Sequence, residues 1–411
     1  MQAVKIQIPG DYWDSQIANG RLYLFGRSGD IRVLDWDRLT NGLVVDASLK
    51  PELNWALSRN AALYRARASL GYPAADTWEA VKSKFSILEA QDLEVHTDLQ
   101  SRYLISQIDN RFPFPHRDSA FEGKQLIIAG QNGLYKAKLS VRSGSGFLET
   151  PERLWDGPAF SVKANAKNLA IAAGDEGLYQ FHVGTNSSLT GRFGEMKKLS
   201  DKNSVDCGWA FRSIYGSSFK APGYLIPSWI PATHRNRGPN ERIGQPQEIG
   251  DFNLEQSLHD LIPEEEIFKE RGYSWACRDS ICQVEGNTVR IVRYSPRARK
   301  RERVLKDMGR IEITGWKGEV VSACVAVFGI VIECEQAVVI KLSTEDVLTL
   351  PGEVVRFRIF PESPEYENQL HLIYEDRLDI LAFTHDYFVN QQSKLIGYRR
   401  LVHAKSTPDF A

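Results

Sequence analysis

The chain has 411 residues, of which 42% are hydrophobic and 25% charged, and its formal net charge is −1 at pH 7. This composition is typical of a globular protein, and the balanced charge excludes binding of nucleic acid or anionic membranes through a global field. No stretch approaches the ~20 apolar residues of a membrane span, and the N-terminus lacks the pattern of a signal peptide. We therefore expect a cytoplasmic protein that does not enter membranes.

The cysteines are odd in number and scattered through apolar strand patterns. This usage predicts buried thiols that form no disulfide, in a reducing compartment. Cys277 and Cys282 lie close together, but a zinc site would need a second pair of ligands, and the nearby sequence supplies none. We predict no metal and no cofactor. The five are Cys207, Cys277, Cys282, Cys324 and Cys334.

The first 36 residues have the pattern of short β-strands. Residues 4–8 (VKIQI) alternate between apolar and polar side chains, which is the period of a strand. Three more strand patterns follow between residues 14 and 36, separated by Gly20 and by a turn from Gly26 to Gly29. Glycine accepts the positive φ angles that short hairpin turns require, so these positions predict consecutive hairpins.

A helical pattern interrupts the strands after Trp36. Residues 51–70 are rich in alanine, leucine and arginine, and Leu53, Leu57 and Tyr64 fall on one face of a helix. This pattern predicts an amphipathic helix whose apolar face packs against the β units.

The remainder of this interruption mixes both kinds of pattern. A second helix is predicted at 77–85, and strands are predicted at 85–90 and 102–108. We interpret 37–111 as a part-helical insertion that follows the first β unit.

Six further β units follow, each with three or four short strands. Between the fourth and fifth units, residues 230–270 are first rich in proline, glycine and asparagine and then acidic. That composition predicts a flexible insertion. The six units cover residues 118–140, 160–183, 205–229, 273–294, 320–342 and 354–383.

One sequence pattern that predicts a β-hairpin occurs three times. It is LYLFGRSGDI at 22–31, LIIAGQNGLY at 126–135 and AIAAGDEGLY at 170–179. A Gly-x-x-Gly turn can also cradle a phosphate or clamp nucleic acid, but both uses need an adjoining helix. Here the turn joins two strand patterns, so we interpret each copy as the inner hairpin of one β unit.

The repeat predicts an all-β fold. A single unit cannot bury both of its faces, whereas units stacked around an axis bury a continuous core. We predict one seven-bladed β-propeller over 1–411, with the α-helical insertion (37–111) after blade 1 and the flexible one (230–270) after blade 4. The ring must close, and the strands available for closure are 4–8 and 394–402. The alternative is two smaller β domains that flank 230–270.

The repeats resemble the β-propeller superfamily, with WD40-like domains as the nearest comparison. The resemblance is carried by the three Gly-x-x-Gly turns and by Leu-Tyr pairs at 134–135 and 178–179, and it covers the chain outside the two insertions. The sequence departs from the WD40 signature, because no unit opens with Gly-His and Asp35-Trp36 reverses the usual Trp-Asp. Propellers include scaffolds, receptors and enzymes, so the resemblance implies a fold rather than a function.

The helical insertion contains residue types that are enriched at protein interfaces. Aromatic and arginine side chains dominate interface hot spots, and we predict a partner-binding surface here. The alternative is that this helix only packs against the propeller. The predicted partner-binding residues are Trp55, Arg59, Tyr64, Arg65 and Arg67.

The strongest local charge lies between Tyr294 and Ile311. Such a run could bind the phosphates of nucleic acid, although Tyr294 is the only nearby aromatic for base stacking. Charge runs are more commonly solvated loops. The candidate nucleic-acid-binding residues are Arg297, Arg299, Lys300, Arg301 and Arg303.

The sequence contains no recognised catalytic motif. It has no Gly-x-Ser-x-Gly elbow, P-loop or His-Glu-x-x-His, and no two of its eight histidines form a metal-binding pair. We predict a non-catalytic scaffold or adaptor that binds protein partners through a propeller face and the insertions. The alternatives are a nucleic-acid-associated subunit and, because distant residues can converge in a propeller channel, an enzyme with a channel site.

Overall fold

The computed structural model shows seven antiparallel sheets arranged in a ring, which is a seven-bladed β-propeller. This confirms the predicted fold class. The structure describes residues 3–57, 75–109, 112–139, 148–165, 167–183, 196–211, 213–218, 223–228, 262–268, 272–278, 280–294, 305–314, 318–342, 346–361, 363 and 365–384.

The strands are numbered in chain order. They are β1 (Ala3–Pro9), β2 (Tyr12–Ala18), β3 (Arg21–Gly26), β4 (Ile31–Asp35), β5 (Leu93–Glu94), β6 (Leu104–Ile108), β7 (His116–Glu122), β8 (Gln125–Gly130), β9 (Gly133–Lys138), β10 (Glu152–Trp155), β11 (Ser161–Asn165), β12 (Asn168–Ala172), β13 (Leu178–His182), β14 (Met196–Ser200), β15 (Asp206–Ala210), β16 (Ser213–Ser217), β17 (Tyr224–Pro227), β18 (Ile262–Pro263), β19 (Ser274–Cys277), β20 (Ser280–Glu285), β21 (Thr288–Tyr294), β22 (Leu305–Glu312), β23 (Val320–Ala326), β24 (Gly329–Cys334), β25 (Ala337–Leu342), β26 (Val347–Pro351), β27 (Arg356–Ile359), β28 (Gln369–Ile373) and β29 (Arg377–Phe383).

The helices are short. They are α1 (Trp36–Gly42), a 3-10 turn (Ala47–Leu49), α2 (Lys50–Leu57), α3 (Ala75–Glu89), α4 (Thr97–Arg102) and α5 (Glu264–Ile267). No helix in the described ranges has the length and apolar character that crossing a bilayer requires.

Each blade is a four-stranded sheet whose strands follow one another from the channel outwards. Blade 1 is β2-β3-β4-β6, and blades 2 to 6 are β7 to β10, β11 to β14, β15 to β18, β19 to β22 and β23 to β26. Blade 7 is β27-β28-β29 with β1 as its outer strand and β5 added beyond it.

The second strand of a blade is the most apolar. β8, β12 and β24 are almost wholly buried, because neighbouring blades cover both of their faces. Ile291 of blade 5 and Ile332 of blade 6 belong to one core cluster, and Val33 of blade 1 and Leu126 of blade 2 belong to another. The core therefore lies between the blades.

The repeated hairpin occupies the middle of its blade. The three copies are β3–β4, β8–β9 and β12–β13, while β2, β7 and β11 lie nearer the channel and contact one another. The prediction of an inner hairpin was wrong by one strand, because the hairpin consists of the second and third strands of its blade. The near-continuous apolar residues of the pattern mark strands that neighbouring blades cover on both faces, not the strands nearest the channel. Gly133 and Gly177 have φ angles of 129° and 100°, and a Cβ at either would collide with a carbonyl oxygen of the fourth strand.

The ring is closed by the N-terminal strand. β1 pairs antiparallel with β29 from Ala3 opposite Phe383 to Pro9 opposite Arg377. The prediction that residues 4–8 complete a shared blade is confirmed. The other predicted closing strand, 394–402, lies outside the described residues.

The helical segment is inserted between the third and fourth strands of blade 1 and does not follow the blade as predicted, because β6, which the prediction assigned to the insertion, pairs with β4 as the fourth strand. Leu53 and Leu57 are fully buried against the propeller, as predicted, while 46% of Trp55 is exposed. The predicted strand at 85–90 is wrong, because α3 continues to Glu89 and buries Phe85 and Leu88 on one helical face. Tertiary packing overrides a local strand preference here.

The insertion is anchored to blade 7 through the end of α2. Asn368 donates to the carbonyl oxygen of Ala56 at 3.0 Å, and Gln369 donates to that of Leu57 at 3.2 Å. The indole of Trp36 donates to the same Leu57 oxygen at 2.7 Å. These bonds satisfy carbonyls that a helix end otherwise leaves without partners.

The second predicted insertion, 230–270, joins the third and fourth strands of blade 4. Most of it lies outside the described residues. Within the described part, α5 begins directly after Pro263 at the acidic run Glu264–Glu266.

The disc has two different faces. The first strand of each blade begins on the face that carries the Gly-x-x-Gly turns, since Tyr12 pairs with Gly26 and His116 with Gly130. We call this the turn face. The opposite face, which we call the helix face, is where β4 ends at Asp35 and α1 begins.

Candidate functional site

An acidic residue recurs where the first strands begin. The carboxylates of Asp14, Asp118 and Asp206 each accept a hydrogen bond from the backbone N–H of the following residue, at 2.8, 2.9 and 2.8 Å. These strands belong to blades 1, 2 and 4, so the three acids line the channel near the turn face.

Arg358 of blade 7 joins two of these acids. Its guanidinium donates from Nε and Nη2 to the two oxygens of Asp14, at 2.7 Å each, and from Nη1 to Asp118 at 2.5 Å. Two N–H groups on one carboxylate form the bidentate geometry that suits arginine best. One side chain therefore links the last blade to the first two.

Two further cations complete the charge balance. Arg356 donates to Asp14 at 3.1 Å, and the ammonium of Lys163 lies 2.9 Å from Asp118. Ser161 bonds both Asp118 and Asp206, at 3.2 and 2.6 Å, and so connects the carboxylates of blades 2 and 4. Three cations thus face three carboxylates.

Two buried histidines border this group. Nε2 of His116 lies 3.0 Å from Asp14, and Nδ1 of His371 lies 2.9 Å from the hydroxyl of Ser15. Burial lowers the pKa of His371 to about 3 and, despite the nearby carboxylate of Asp14, also lowers the pKa of His116. Both imidazoles are therefore neutral near pH 7.

The carboxylates of Asp14 and Asp118 stay ionised. Burial alone would raise their pKa values, but Arg358 and Arg356 hold the pKa of Asp14 well below its usual range, and Lys163 and Arg358 lower that of Asp118. Burial opposes the charge of Lys163, but Asp118 and Asp206 raise its pKa. We call Asp14, His116, Asp118, Lys163, Asp206, Arg356, Arg358 and His371 the channel cluster.

Glu333 of blade 6 differs from Asp14 and Asp118, because its pKa is raised and theirs are lowered. It is 7% exposed, and burial raises its pKa to about 7 although Arg356 and Arg358 act to lower it. Unfolded glutamate has a pKa of about 4.3, so the folded state binds more protons between these two values. The contribution of Glu333 to stability is therefore fully present below about pH 4.3, falls as the pH rises to about 7, and stays at its lowest value above that pH.

We predict that Glu333→Gln raises the free energy of unfolding by about 3–4 kcal/mol at about pH 9 and leaves it unchanged below about pH 4. Urea unfolding across this range measures the effect. His371 acts with the opposite sign, losing stability below about pH 6.5, but it does so equally in both proteins. Glu335→Gln, on the exposed adjacent turn, is the matched control. A gain that does not depend on pH would contradict the assignment.

The cysteines are structural in position. No disulfide links any of the five, and four of them are buried. The side chain of Cys277 bonds that of Cys324 and so lowers the pKa of Cys324. Among the described residues, no group of three histidine, cysteine or acidic side chains is placed to hold a metal ion.

Of the predicted site residues, only Trp55 belongs to the part of the chain that the structure describes. Trp55 is exposed on α2 of the insertion, as a partner-binding residue would be. Its predicted companions, Arg59, Tyr64, Arg65 and Arg67, lie outside the described residues. So do all five candidate nucleic-acid-binding residues, Arg297, Arg299, Lys300, Arg301 and Arg303. Both surfaces stay predictions.

Sequence reasoning missed the channel cluster. The one local signal is an Asp-Ser pair at 14–15 and again at 118–119, each placed before the repeated hairpin. Arg358 is separated from Asp14 by more than 300 positions in the chain, and nothing in its own neighbourhood indicates an acidic partner. Only the closed ring brings these residues together.

No protein-family model and no curated protein matches the sequence. Among solved structures, the chain is similar to the β-propeller domain of Cps50 (Swd1) from Myceliophteria thermophila, with 8% identity and a TM-score of 0.51 over 92% of this chain and 99% of that one. The WD40 β-propeller domain of Doa1 matches with 9% identity and a TM-score of 0.44, over 92% of each chain. The fold is therefore that of a β-propeller.

Proposed function

We propose that this chain is a non-catalytic scaffold that binds protein partners, with its main binding surface around the channel mouth on the turn face. The observation that carries the proposal is an exposed aromatic surface directly beside the charge-balanced channel cluster. The cations and carboxylates of the cluster are paired with one another, which suits a stabilising role better than proton transfer.

The exposed surface is built from residues of blades 1, 2, 3 and 7. Trp13 is half-buried, its indole donates to the carbonyl oxygen of His116 at 2.8 Å, and its ring packs edge-on against Phe114 with 5.7 Å between centroids. Phe114 itself is 39% exposed. Aromatic and arginine side chains supply most hot-spot energy in protein interfaces. We call Trp13, Phe114, Arg117, Phe160 and Arg356 the mouth patch.

The insertion offers a second surface on the other side of the molecule. Trp55 lies on the insertion, which leaves the propeller at the helix face. Because Leu53 and Leu57 belong to the core, deletion of this helix would damage the fold, so a point substitution is the appropriate test.

We predict that Phe114→Ala lowers recovery of a bound partner at least ~10-fold, because truncating an interface aromatic removes more than about 1.4 kcal/mol of binding free energy. Affinity purification of the tagged full-length protein from its native extract, with quantification of the proteins bound to it, measures this. Trp55→Ala is the matched variant, since a similarly exposed aromatic is removed from the insertion.

The two variants separate the surfaces. Loss with Phe114→Ala alone supports the mouth patch, and loss with Trp55→Ala alone transfers the proposal to the insertion. If both variants retain every partner at wild-type levels, or if the wild type has no stoichiometric partner, the scaffold proposal is wrong in this form.

A further inference from the structure

Arg356 has N–H groups at the channel mouth that donate to no described residue. Its guanidinium lies 5.6 Å from the ring centroid of Trp13, and only one of its nitrogens donates to Asp14. The described residues provide no hydrogen-bond partner for its other nitrogens, and these nitrogens are not fully buried. Those N–H groups therefore remain accessible to a ligand.

Arg117 repeats this arrangement two blades further on, where it extends from blade 2 to blade 3. It is exposed, and its guanidinium lies 6.0 Å from the ring centroid of Phe160. Within the described part of the chain it faces no carboxylate at ion-pair distance. An arginine held over an aromatic ring is already ordered, so it loses less side-chain entropy when a carboxylate arrives.

The acids near these arginines are already engaged. Asp11 is paired with Arg27 at 2.9 Å, and Asp30 is bonded by Ser28 and lies 4.0 Å from Arg32. Asp14 and Asp118 belong to the channel cluster. Arg356 already balances a carboxylate of the channel cluster, so the unbalanced positive charge of the mouth patch comes from Arg117, which no described carboxylate approaches at ion-pair distance.

A shallow cleft adjoins these arginines. It lies between blades 1 and 2, has room for about one water molecule, and is lined by apolar side chains that include Phe25, Phe112 and Phe114 together with the polar side chains of Asp30 and His116. His116, which forms part of its wall, carries the carbonyl that holds Trp13, so the cleft and the arginines form one continuous surface.

We infer that the partner segment recognised by the mouth patch is an acidic peptide, whose carboxylates bind Arg356 and Arg117 while a neighbouring apolar side chain packs on the exposed ring of Phe114. This inference rests on the proposed function and specifies the chemistry of its ligand. Charge-assisted bonds from two ordered arginines supply specificity, and the aromatic surface supplies apolar contact.

The experiment is a selection of displayed random peptides on the immobilised full-length protein, followed by affinity measurement on the selected peptides. We expect enrichment of aspartate and glutamate next to an apolar residue. Arg117→Glu should weaken binding of such a peptide at least ~10-fold, with a matching loss when its acids are replaced by amides. Affinity should also fall as salt rises.

Arg102→Glu is the matched control. Arg102 is equally exposed but lies at the end of α4, on the helix face, and should leave affinity unchanged. Peptides that bind and are lost with Phe114→Ala, but that are not acidic or are insensitive to Arg117→Glu, would overturn this inference and leave the proposed function standing. Absence of any peptide sensitive to Phe114→Ala would overturn both.

Discussion

Replacing Arg358 with methionine is expected to lower the free energy of unfolding by about 3–5 kcal/mol, because it leaves a buried carboxylate without its cation. Asp14 is fully buried and receives two N–H groups from Arg358, and Asp118 receives a third. Arg356 alone would then face Asp14. The Arg358–Asp14 ion pair contributes less to the free energy of unfolding than this loss suggests, because burying both ions costs desolvation free energy.

Urea unfolding at neutral pH measures the effect, and Arg377→Met is the matched control. Arg377 also belongs to blade 7, but it is 35% exposed and pairs with Asp376 and Asp379, so its loss should cost less than about 1 kcal/mol. The double variant with Asp14→Asn should recover part of the loss, because the two substitutions remove one shared interaction. A loss below about 1 kcal/mol for Arg358→Met would contradict its role as the link between blades.

Deleting residues 1–9 is expected to abolish the stable monomeric fold. β1 forms the whole outer strand of blade 7, and its side chains at Val4, Ile6 and Ile8 are fully buried. Without β1, the backbone N–H and C=O groups along one edge of β29 have no partner and the core beneath this strand is exposed. We therefore expect the truncated protein to self-associate. Size-exclusion chromatography and thermal unfolding measure both consequences.

A synthetic peptide of residues 1–9 provides the decisive comparison. Added to the truncated protein, it should restore the monomer and part of the thermal stability, since strand addition to an open edge supplies the lost backbone hydrogen bonds. The same peptide with Ile6→Asp should fail, because Ile6 faces the core. A truncated protein that stays monomeric with an unchanged midpoint would show that β1 is dispensable for closure.

These two predictions concern the same seam in the ring. β1 joins the two ends of the chain at the rim of the disc, Arg358 joins blade 7 to blades 1 and 2 at the channel, and α2 joins blades 1 and 7 beside them. The ring is joined without a covalent link inside blade 7, where β1 pairs with β29, so extra contacts beside this junction contribute to its closure. The function proposed for the mouth patch depends on the same seam, because Trp13 and Arg356 come from its two sides.

The sequence by itself predicted seven blades, three equivalent hairpins and two candidate closing strands, of which residues 4–8 close the ring. Each rests on a local physical cause: alternation along a strand, positive φ in a short turn, and apolar residues wherever both faces are covered. It misplaced the hairpin within its blade, and it predicted a strand at 85–90 where helix packing buries Phe85 and Leu88. Local preference there was weaker than a tertiary contact.

Only the tertiary structure decided the site. The channel cluster draws its members from five first strands and from β28, and the mouth patch combines Trp13 with Arg356 from the opposite end of the described chain. Local periodicity reports which face of a strand is buried, but it cannot report which distant strand lies opposite. Charge pairing in the channel and the accessible arginines at its mouth arise only when the ring closes and places the starts of its first strands around one axis.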